Sequence, residues 1–310
     1  MKIPFERTIS GAYRFAFANI LSLLGIAWLP YFLMAALIGG GIYLYGPQVV
    51  AAFNVMAAQP KPAPQDALRF FGLIVGAELL ILPVFLILTA MVNVGVMRKA
   101  LGQHPGPVFV FFSLGSQVWR LVGSYLIFTL IFAGLLMLLV ALGMGLYFAL
   151  AQASQGGAIA ASILFGIFGY FFVIYAAVRT YFFIPAIVVA ENHIGIRRSW
   201  HLGAGNFWRI IGIVLIMTIP LSMAAQTIMQ PVLQFYMGGA VQTLPPHASP
   251  EEMKQFFSMI WTAIKHAGPW LLVIQLVQMG LSSGLMGGAI AQAYNLVTGG
   301  PEIVPPKASA

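Results

Sequence analysis

The sequence predicts an all-α integral membrane protein, a polytopic bundle of six transmembrane helices built from three related hairpins with amphipathic helices at the membrane surface. Only 7% of the 310 residues are charged, whereas soluble domains average about 25%. With 60% hydrophobic residues and a mean hydropathy of +0.93, too few polar side chains remain to cover a surface in water. A soluble protein is therefore excluded, and residues 1–310 are expected to form a single membrane domain.

Six apolar stretches are long enough to cross a bilayer, because about 20 helical residues span a hydrocarbon core about 30 Å thick. The first stretch is about twice as long as the apolar part of a secretory signal peptide, so we expect it to remain as a membrane helix. The stretches cover roughly residues 15–45, 70–97, 121–151, 158–190, 207–237 and 270–297.

Lysine and arginine are concentrated on one side of this topology, and such a bias marks the cytoplasmic side. Ten lie on the side of the termini and four on the opposite side. We therefore predict that both termini, including a tail at residues 298–310, lie in the cytoplasm. The net charge of +8 favours anionic lipid headgroups as partners. Nucleic acid is not expected to bind, since the basic residues are spread over four short segments.

The polar flanks of the stretches resemble one another, which predicts an internal repeat. A Pro-Gln-Asp segment that begins at Pro64 parallels a Pro-Glu-Glu segment that begins at Pro250. A Leu-Gly pair followed by a Trp-Arg pair begins at both Leu114 and Leu202. Chance similarity between low-complexity apolar segments is the competing explanation. The repeat units would cover about residues 1–97, 98–190 and 191–297.

Two flanking segments have the periodicity of amphipathic helices. From Phe5 to Phe17 the apolar residues recur at helical spacing, which predicts a helix on the cytoplasmic surface. On the opposite side Ser249, a hydroxyl cap, precedes Pro250 and two acidic residues, and an apolar stripe follows as far as Ile264. This second helix is predicted to lie on the bilayer or to cap the bundle.

Two ionisable residues fall within the predicted spans, where charge is costly and often functional. Glu78 either binds a proton or cation or accepts hydrogen bonds at headgroup level. Arg179 either holds a lipid phosphate, pairs with a carboxylate such as Glu191, or is a structural arginine that reaches the interface.

Uncharged polar residues also lie within the spans. Gln226, Gln230 and Gln234 are spaced by four and share one face of a helix, which either lines a cavity or hydrogen-bonds to neighbouring helices. Asn93 and Gln292 are further intramembrane polar candidates. The last stretch has a seam of small residues, which predicts close helix packing or a homo-oligomer contact. The seam consists of Gly280, Gly284 and Gly288.

No sequence motif for catalysis is present, and no cofactor is expected. The best local cluster of potential metal ligands in the sequence consists of Glu191, His193 and His201. A metal ion needs further converging ligands, and the chain has no cysteine. No metal site and no enzymatic activity are therefore predicted. The basic and aromatic residues around this group are typical of a belt that contacts lipid headgroups. These candidates for binding a headgroup or substrate are Arg179, Glu191, Arg197, Arg198, Trp200, Trp208 and Arg209.

In the segment from Arg179 to Arg209, an arginine-bearing helix ends at Pro185 and Glu191, and an Arg-Ser-Trp segment ending at Trp200 leads into a Phe-Trp-Arg helix start. This pattern resembles the bacterial six-helix membrane family that includes YciC-like proteins and the membrane domain attached to some glycerophosphodiester phosphodiesterases. The resemblance covers about thirty residues and implies a membrane-integral module without known catalytic residues. Because the chain has no soluble phosphodiesterase domain, the resemblance does not imply hydrolysis.

Three functions remain open. The first is a non-enzymatic inner-membrane protein that organises lipid or envelope components or supports a membrane partner. The second is a transporter of a lipid or amphiphile that uses the glutamine stripe, the glycine seam and Arg179. The third is a membrane enzyme acting on lipids through Glu78 or through the group at Glu191, His193 and His201.

Overall fold

The structure, a computed structural model, describes the backbone of residues 2–57, 63–104, 106–237 and 250–300, and these residues form helices and no strand. In chain order the helices are α1 (Phe5–Ala18), α2 (Ile20–Ala57), α3 (Pro64–Ala100), α4 (Ser116–Ala151), α5 (Gln155–Tyr181), α6 (Ile184–Glu191), α7 (Ile196–Leu202), α8 (Phe207–Met237) and α9 (Pro250–Thr298).

The prediction of six membrane-crossing helices is confirmed in the described residues, which contain six helices long and apolar enough to cross a membrane. They pair as the hairpins α2–α3, α4–α5 and α8–α9, with α5 continued after a short break by α6. The chain is therefore an all-helical, multi-pass membrane protein. The internal repeat stays a prediction.

The buried core lies at one end of the bundle, which we call the basic end because the predicted basic flanks meet there. This end consists of α1, the α3–α4 loop, α6, α7 and the adjoining ends of the long helices. In α3 the buried residues run from Leu88 to Ala100, the last third of the helix, and in α4 they run from Val118 to Tyr125, the first third. The far ends of these two helices leave the core.

The most apolar helices are also the least buried, which is the reverse of a soluble protein. The most apolar windows of α3 and α4 have mean hydropathies of 2.6 and 2.7, yet only 6% and 0% of those windows are buried. Apolar side chains exposed on this scale require a hydrocarbon surrounding. The far halves of the hairpins therefore face lipid.

Two helix boundaries differ from the sequence prediction. The first apolar stretch is divided at Asn19, whose side-chain nitrogen donates to the carbonyl of Phe15 at 2.9 Å, and α2 begins at Ile20. The predicted outer helix and the last span form the single helix α9, which continues through Pro269. The apolar stripe predicted for residues 253–264 falls on side chains outside the described residues.

Helix α1 forms where an amphipathic helix is predicted, and it packs against α8 and α9. Its buried face consists of small residues and one aromatic ring, while Glu6 and Arg14 are exposed. The apolar face of α1 is thus covered by protein, and contact of its other face with the membrane surface stays a prediction.

Candidate functional site

Arg179 joins α5 to α7. Its Nε donates to the backbone carbonyl of Trp200 at 3.0 Å, and its Nη1 donates to the Tyr175 hydroxyl at 2.9 Å. The guanidinium also lies 4.0 Å from the centre of the Trp200 ring, a cation–π contact. Gly203 permits this approach, because a Cβ there would lie 2.6 Å from the Arg179 carbonyl oxygen. The protein itself supplies these partners for Arg179, which favours the structural interpretation of this residue.

Glu191 ends α6 and joins three segments. Its Oε1 accepts a hydrogen bond from the Tyr294 hydroxyl of α9 at 2.8 Å and from Arg198 Nε of α7 at 3.3 Å. His193 Nε2 lies 3.5 Å from Oε2 of the same carboxylate. The carboxylate therefore pairs with Arg198, and not with Arg179 as one sequence interpretation had it. Tyr294 was not identified from the sequence, although both residues lie at the predicted cytoplasmic ends of their spans.

The other basic and aromatic candidates fall into two groups. Arg197 and Arg198 are exposed on α7, and Trp208 is 78% exposed at the start of α8. Arg209, by contrast, is half-buried and its Nη1 donates to the carbonyl of Ile3 at 2.6 Å. Of these residues, Arg197, Arg198 and Trp208 present the surface suited to anionic headgroups.

Asn206, which the sequence did not single out as a site residue, holds the amino-terminal segment in place. Its Oδ1 accepts a hydrogen bond from the backbone N–H of Ile3 at 2.8 Å. Its Nδ2 donates to the carbonyls of Leu202 and Ala204. Asn206 is 1% exposed, so these bonds are protected from water.

The loop-side ends of α3 and α4 are joined to α6 by amide and arginine side chains. Arg98 Nε donates to Gln117 Oε1 at 2.7 Å, and Gln117 Nε2 donates to the carbonyl of Val189 at 3.1 Å. Arg120 Nη1 donates to the carbonyl of Asn192 at the end of α6. Asn192 has a positive φ of 55°, the left-handed conformation that asparagine tolerates at a helix end. Polar groups of the basic end therefore hold the helices together.

The intramembrane polar candidates lie apart from one another. Glu78 is exposed in the far half of α3, whereas Asn93 near the basic end donates from Nδ2 to the Tyr125 hydroxyl at 3.0 Å. Gln292 of α9 is fully buried against Gly11 of α1. The three glutamines of α8 share one exposed face, and they are Gln226, Gln230 and Gln234.

The glycine seam of α9 is occupied within the chain. A Cβ at Gly280 or Gly284 would lie within 3.0 Å of a side-chain carbon of Leu24 or Leu23, respectively, in α2. At Gly288 it would lie 2.8 Å from a ring carbon of Phe15 and 3.2 Å from Cα of Ala12. The seam packs α9 against α1 and α2, so an oligomer would have to form through another surface.

Apolar clefts open between the helices of two hairpins. The cleft between α4 and α5 has a volume of about 530 Å³, and Gly143, Phe165 and Gly166 are among its lining residues. The cleft between α2 and α3 has a volume of about 560 Å³ and is bordered by Glu78. A third cleft of about 380 Å³ lies among α2, α3, α8 and α9 and includes Tyr31 and Gln275.

The contacts described at the basic end are hydrogen bonds, ion pairs and a cation–π contact. No group of three or more histidine, aspartate or glutamate side chains within metal-binding reach occurs in the described ranges. Glu191 and His193 are close to each other, but His201 is exposed on α7 and does not complete such a group. Comparisons of the chain with protein-family models, curated proteins and solved structures gave no match.

Proposed function

We propose that the chain is a non-enzymatic membrane protein that organises lipid, receiving acyl chains between the far halves of its hairpins. The observation that carries this proposal is the pair of apolar clefts within the α2–α3 and α4–α5 hairpins. Each has a volume above 500 Å³ and an almost entirely apolar lining. Apolar clefts of this size suit hydrocarbon chains.

The charge distribution supports the same function. Exposed arginines and tryptophans at the basic end suit anionic headgroups and the interfacial zone of a bilayer, respectively. The resemblance of residues 179–209 to the YciC-like family, a membrane-integral family without known catalytic residues, agrees with this proposal. The proposed setting is the inner membrane of a bacterium with the basic end in the cytoplasm. Reporter fusions to alkaline phosphatase and to a fluorescent protein at both termini would test the orientation.

A cleft-filling substitution tests lipid binding. A Cβ at Gly166 would meet no atom within 4 Å, so Gly166→Leu is expected to fill the α4–α5 cleft without unfolding it. Gly134→Leu is the matched control, because Gly134 lies on α4 outside the residues lining that cleft and is equally open. Native mass spectrometry from nanodiscs should show fewer retained phospholipids for Gly166→Leu than for Gly134→Leu. Equal retention by the two variants and the unmodified protein would contradict the proposal.

Transport of a lipid or amphiphile is the second candidate, and the third cleft favours it. This cleft lies between two hairpins and combines apolar walls with Tyr31 and Gln275, as a path for an amphiphile requires. A dithionite assay on fluorescently labelled phospholipid in proteoliposomes would detect movement between leaflets. Acceleration that depends on Gln275 would favour transport, and a rate equal to that of protein-free vesicles would oppose it.

A further inference from the structure

The α3–α4 loop runs alongside α2 and does not project away from the bundle. Ser22 Oγ, near the start of α2, accepts a hydrogen bond from the backbone N–H of Val108 at 3.4 Å. Trp28 Nε1 donates to the carbonyl of Phe109 at 2.9 Å. Ser22 and Trp28 are separated by about 9 Å along the helix, at 1.5 Å per residue. The loop backbone at Val108 and Phe109 therefore lies against α2 between Ser22 and Trp28.

Close packing holds the loop in this position. A Cβ at Gly25 of α2 would lie 2.0 Å from the Val108 carbonyl oxygen, so only glycine admits the loop backbone here. Gly95 of α3 likewise faces the ring of Phe111, with 2.9 Å between a Cβ and the nearest ring carbon. Val108 and Phe111 are buried. Two loop side chains thus anchor the loop to the helices.

The opposite face of the loop carries large apolar side chains that the described protein leaves uncovered. Phe109 is 75% exposed and Phe112 is 57% exposed, and Val110 between them is also exposed. The exposed face is continuous with exposed Trp28 on α2, which belongs to a membrane-spanning helix. This continuity favours the bilayer over water as the surrounding of the loop.

Three polar backbone groups of the loop, at Gly106, Val108 and Phe109, are paired with side chains of α2 and α3. Irregular backbone near the hydrocarbon region needs protein partners for its polar groups. Besides the bonds to Ser22 and Trp28, Lys99 Nζ donates to the carbonyl of Gly106 at 2.7 Å. Side chains of α2 and α3 therefore form hydrogen bonds with backbone N–H and carbonyl groups that would bind water in a solvent-exposed loop.

We propose that residues 106–114 form an interfacial loop that inserts into the leaflet at the basic end, to the boundary between headgroups and acyl chains. Phe109, Val110 and Phe112 contact the parts of the acyl chains nearest the headgroups. The hydrogen bonds from Lys99 and Trp28 hold the loop backbone on the headgroup side of these side chains. The occupant of this surface is phospholipid. The inference requires only that the chain spans a membrane, and it holds whether or not the hairpin clefts bind lipid.

Depth-resolved fluorescence quenching tests this proposal, because the chain contains no cysteine and one introduced thiol gives one labelled site. The variants Phe109→Cys and Phe112→Cys would be labelled with bimane and reconstituted in vesicles of phosphatidylethanolamine and phosphatidylglycerol. His104→Cys, at an exposed position of the same loop, is the aqueous control. Ile131→Cys, at an exposed position in the α4 span, is the deep control.

A nitroxide near the headgroup should quench the labels at 109 and 112 at least about twofold more than it quenches the label at 104, as expected for insertion of roughly 5–10 Å. Aqueous iodide should quench the label at 104 more than the labels at 109 and 112. A nitroxide deep in the acyl chain should act best on the label at 131. Iodide quenching at 109 and 112 equal to that at 104 would place the loop in water. Protection from both iodide and lipid nitroxides would show a protein covering the loop, and either result overturns the proposal.

Discussion

The guanidinium of Arg179 stacks on the indole of Trp200 at 4.0 Å from the ring centre and also donates from Nε to the backbone carbonyl of the same residue. These two contacts fix the short helix α7 against the end of α5. A cation–π contact at a half-buried site stabilises by about 1–2 kcal/mol, and a hydrogen bond from a charged donor adds about 1.5–3 kcal/mol. Because α7 has only two turns, this pair is a main determinant of its position.

Replacement of Arg179 by lysine is expected to destabilise the protein. Lysine keeps the charge but loses the planar stacking and the Nε bond, so we expect the free energy of unfolding to fall by about 2 kcal/mol. Thermal unfolding in mild detergent, followed by tryptophan fluorescence, would measure the change. Arg197→Lys on exposed α7 is the control and should leave the melting temperature unchanged. An equally stable Arg179→Lys protein that retains less anionic lipid would instead support lipid-phosphate binding by Arg179.

The bond between Tyr294 and Glu191 is expected to couple α9 to α6. Tyr294→Phe removes the hydroxyl that donates to Glu191 Oε1 at 2.8 Å, and Glu191→Ala removes the acceptor. A double-mutant cycle from unfolding in denaturant should give a coupling free energy of about 1–2 kcal/mol. Glu6→Ala, at an exposed position of α1, is the control for loss of a carboxylate. Additive effects of Tyr294→Phe and Glu191→Ala would argue against the bond.

The sequence alone was sufficient to predict the six membrane helices because lipid-facing helices need no alternation of polar and apolar residues. The most apolar helices, α3 and α4, are those that the rest of the protein covers least. Their amino-acid composition alone therefore indicates that lipid surrounds them. The boundaries were harder to predict. At Asn19, which divides the first stretch, the backbone N–H and the side-chain nitrogen both donate to the Phe15 carbonyl, and hydropathy does not reveal these bonds.

The basic end was predicted in composition but not in its contacts. Arg179 and Glu191 were singled out as candidates, yet their partners Trp200 and Tyr294 could be assigned only with the helices in place. The α3–α4 loop is a stronger case, since Phe109 and Trp28 are 81 residues apart and neither lies in a recognisable motif. The sequence shows that the loop is apolar, but its position depends on space left by Gly25 and Gly95 on two other segments.

Two helix glycines are expected to respond in opposite directions to the same substitution. Gly288→Ala in α9 places a methyl group 2.8 Å from the Phe15 ring and 3.2 Å from the backbone of Ala12, which forces α1 outward. Such overpacking costs about 1–3 kcal/mol. A Cβ at Gly134 of α4 would meet no atom within 4 Å, so Gly134→Ala should gain up to about 1 kcal/mol from helix propensity. Melting temperatures in detergent should fall for Gly288→Ala and rise for Gly134→Ala. A stabilised Gly288→Ala protein would contradict the packing of α1 on the glycine seam.

Loss of the Asn206 side chain is expected to release the amino-terminal segment. In Asn206→Ala the buried N–H of Ile3 loses its acceptor, which costs about 1–3 kcal/mol. Asn206→Asp keeps an Oδ1 acceptor for Ile3 but places a carboxyl oxygen against the carbonyls of Leu202 and Ala204 at a buried site, so it should destabilise the protein at least as much. Hydrogen–deuterium exchange of peptides covering residues 2–18 would measure the release, with exposed Ser10→Ala as the control for a substitution in α1.

Because Arg209 still holds the carbonyl of Ile3, the double variant Asn206→Ala/Arg209→Gln should exchange faster than either single variant. Unchanged exchange in that double variant would show that the packing of α1 on α8 and α9 alone holds the segment in place.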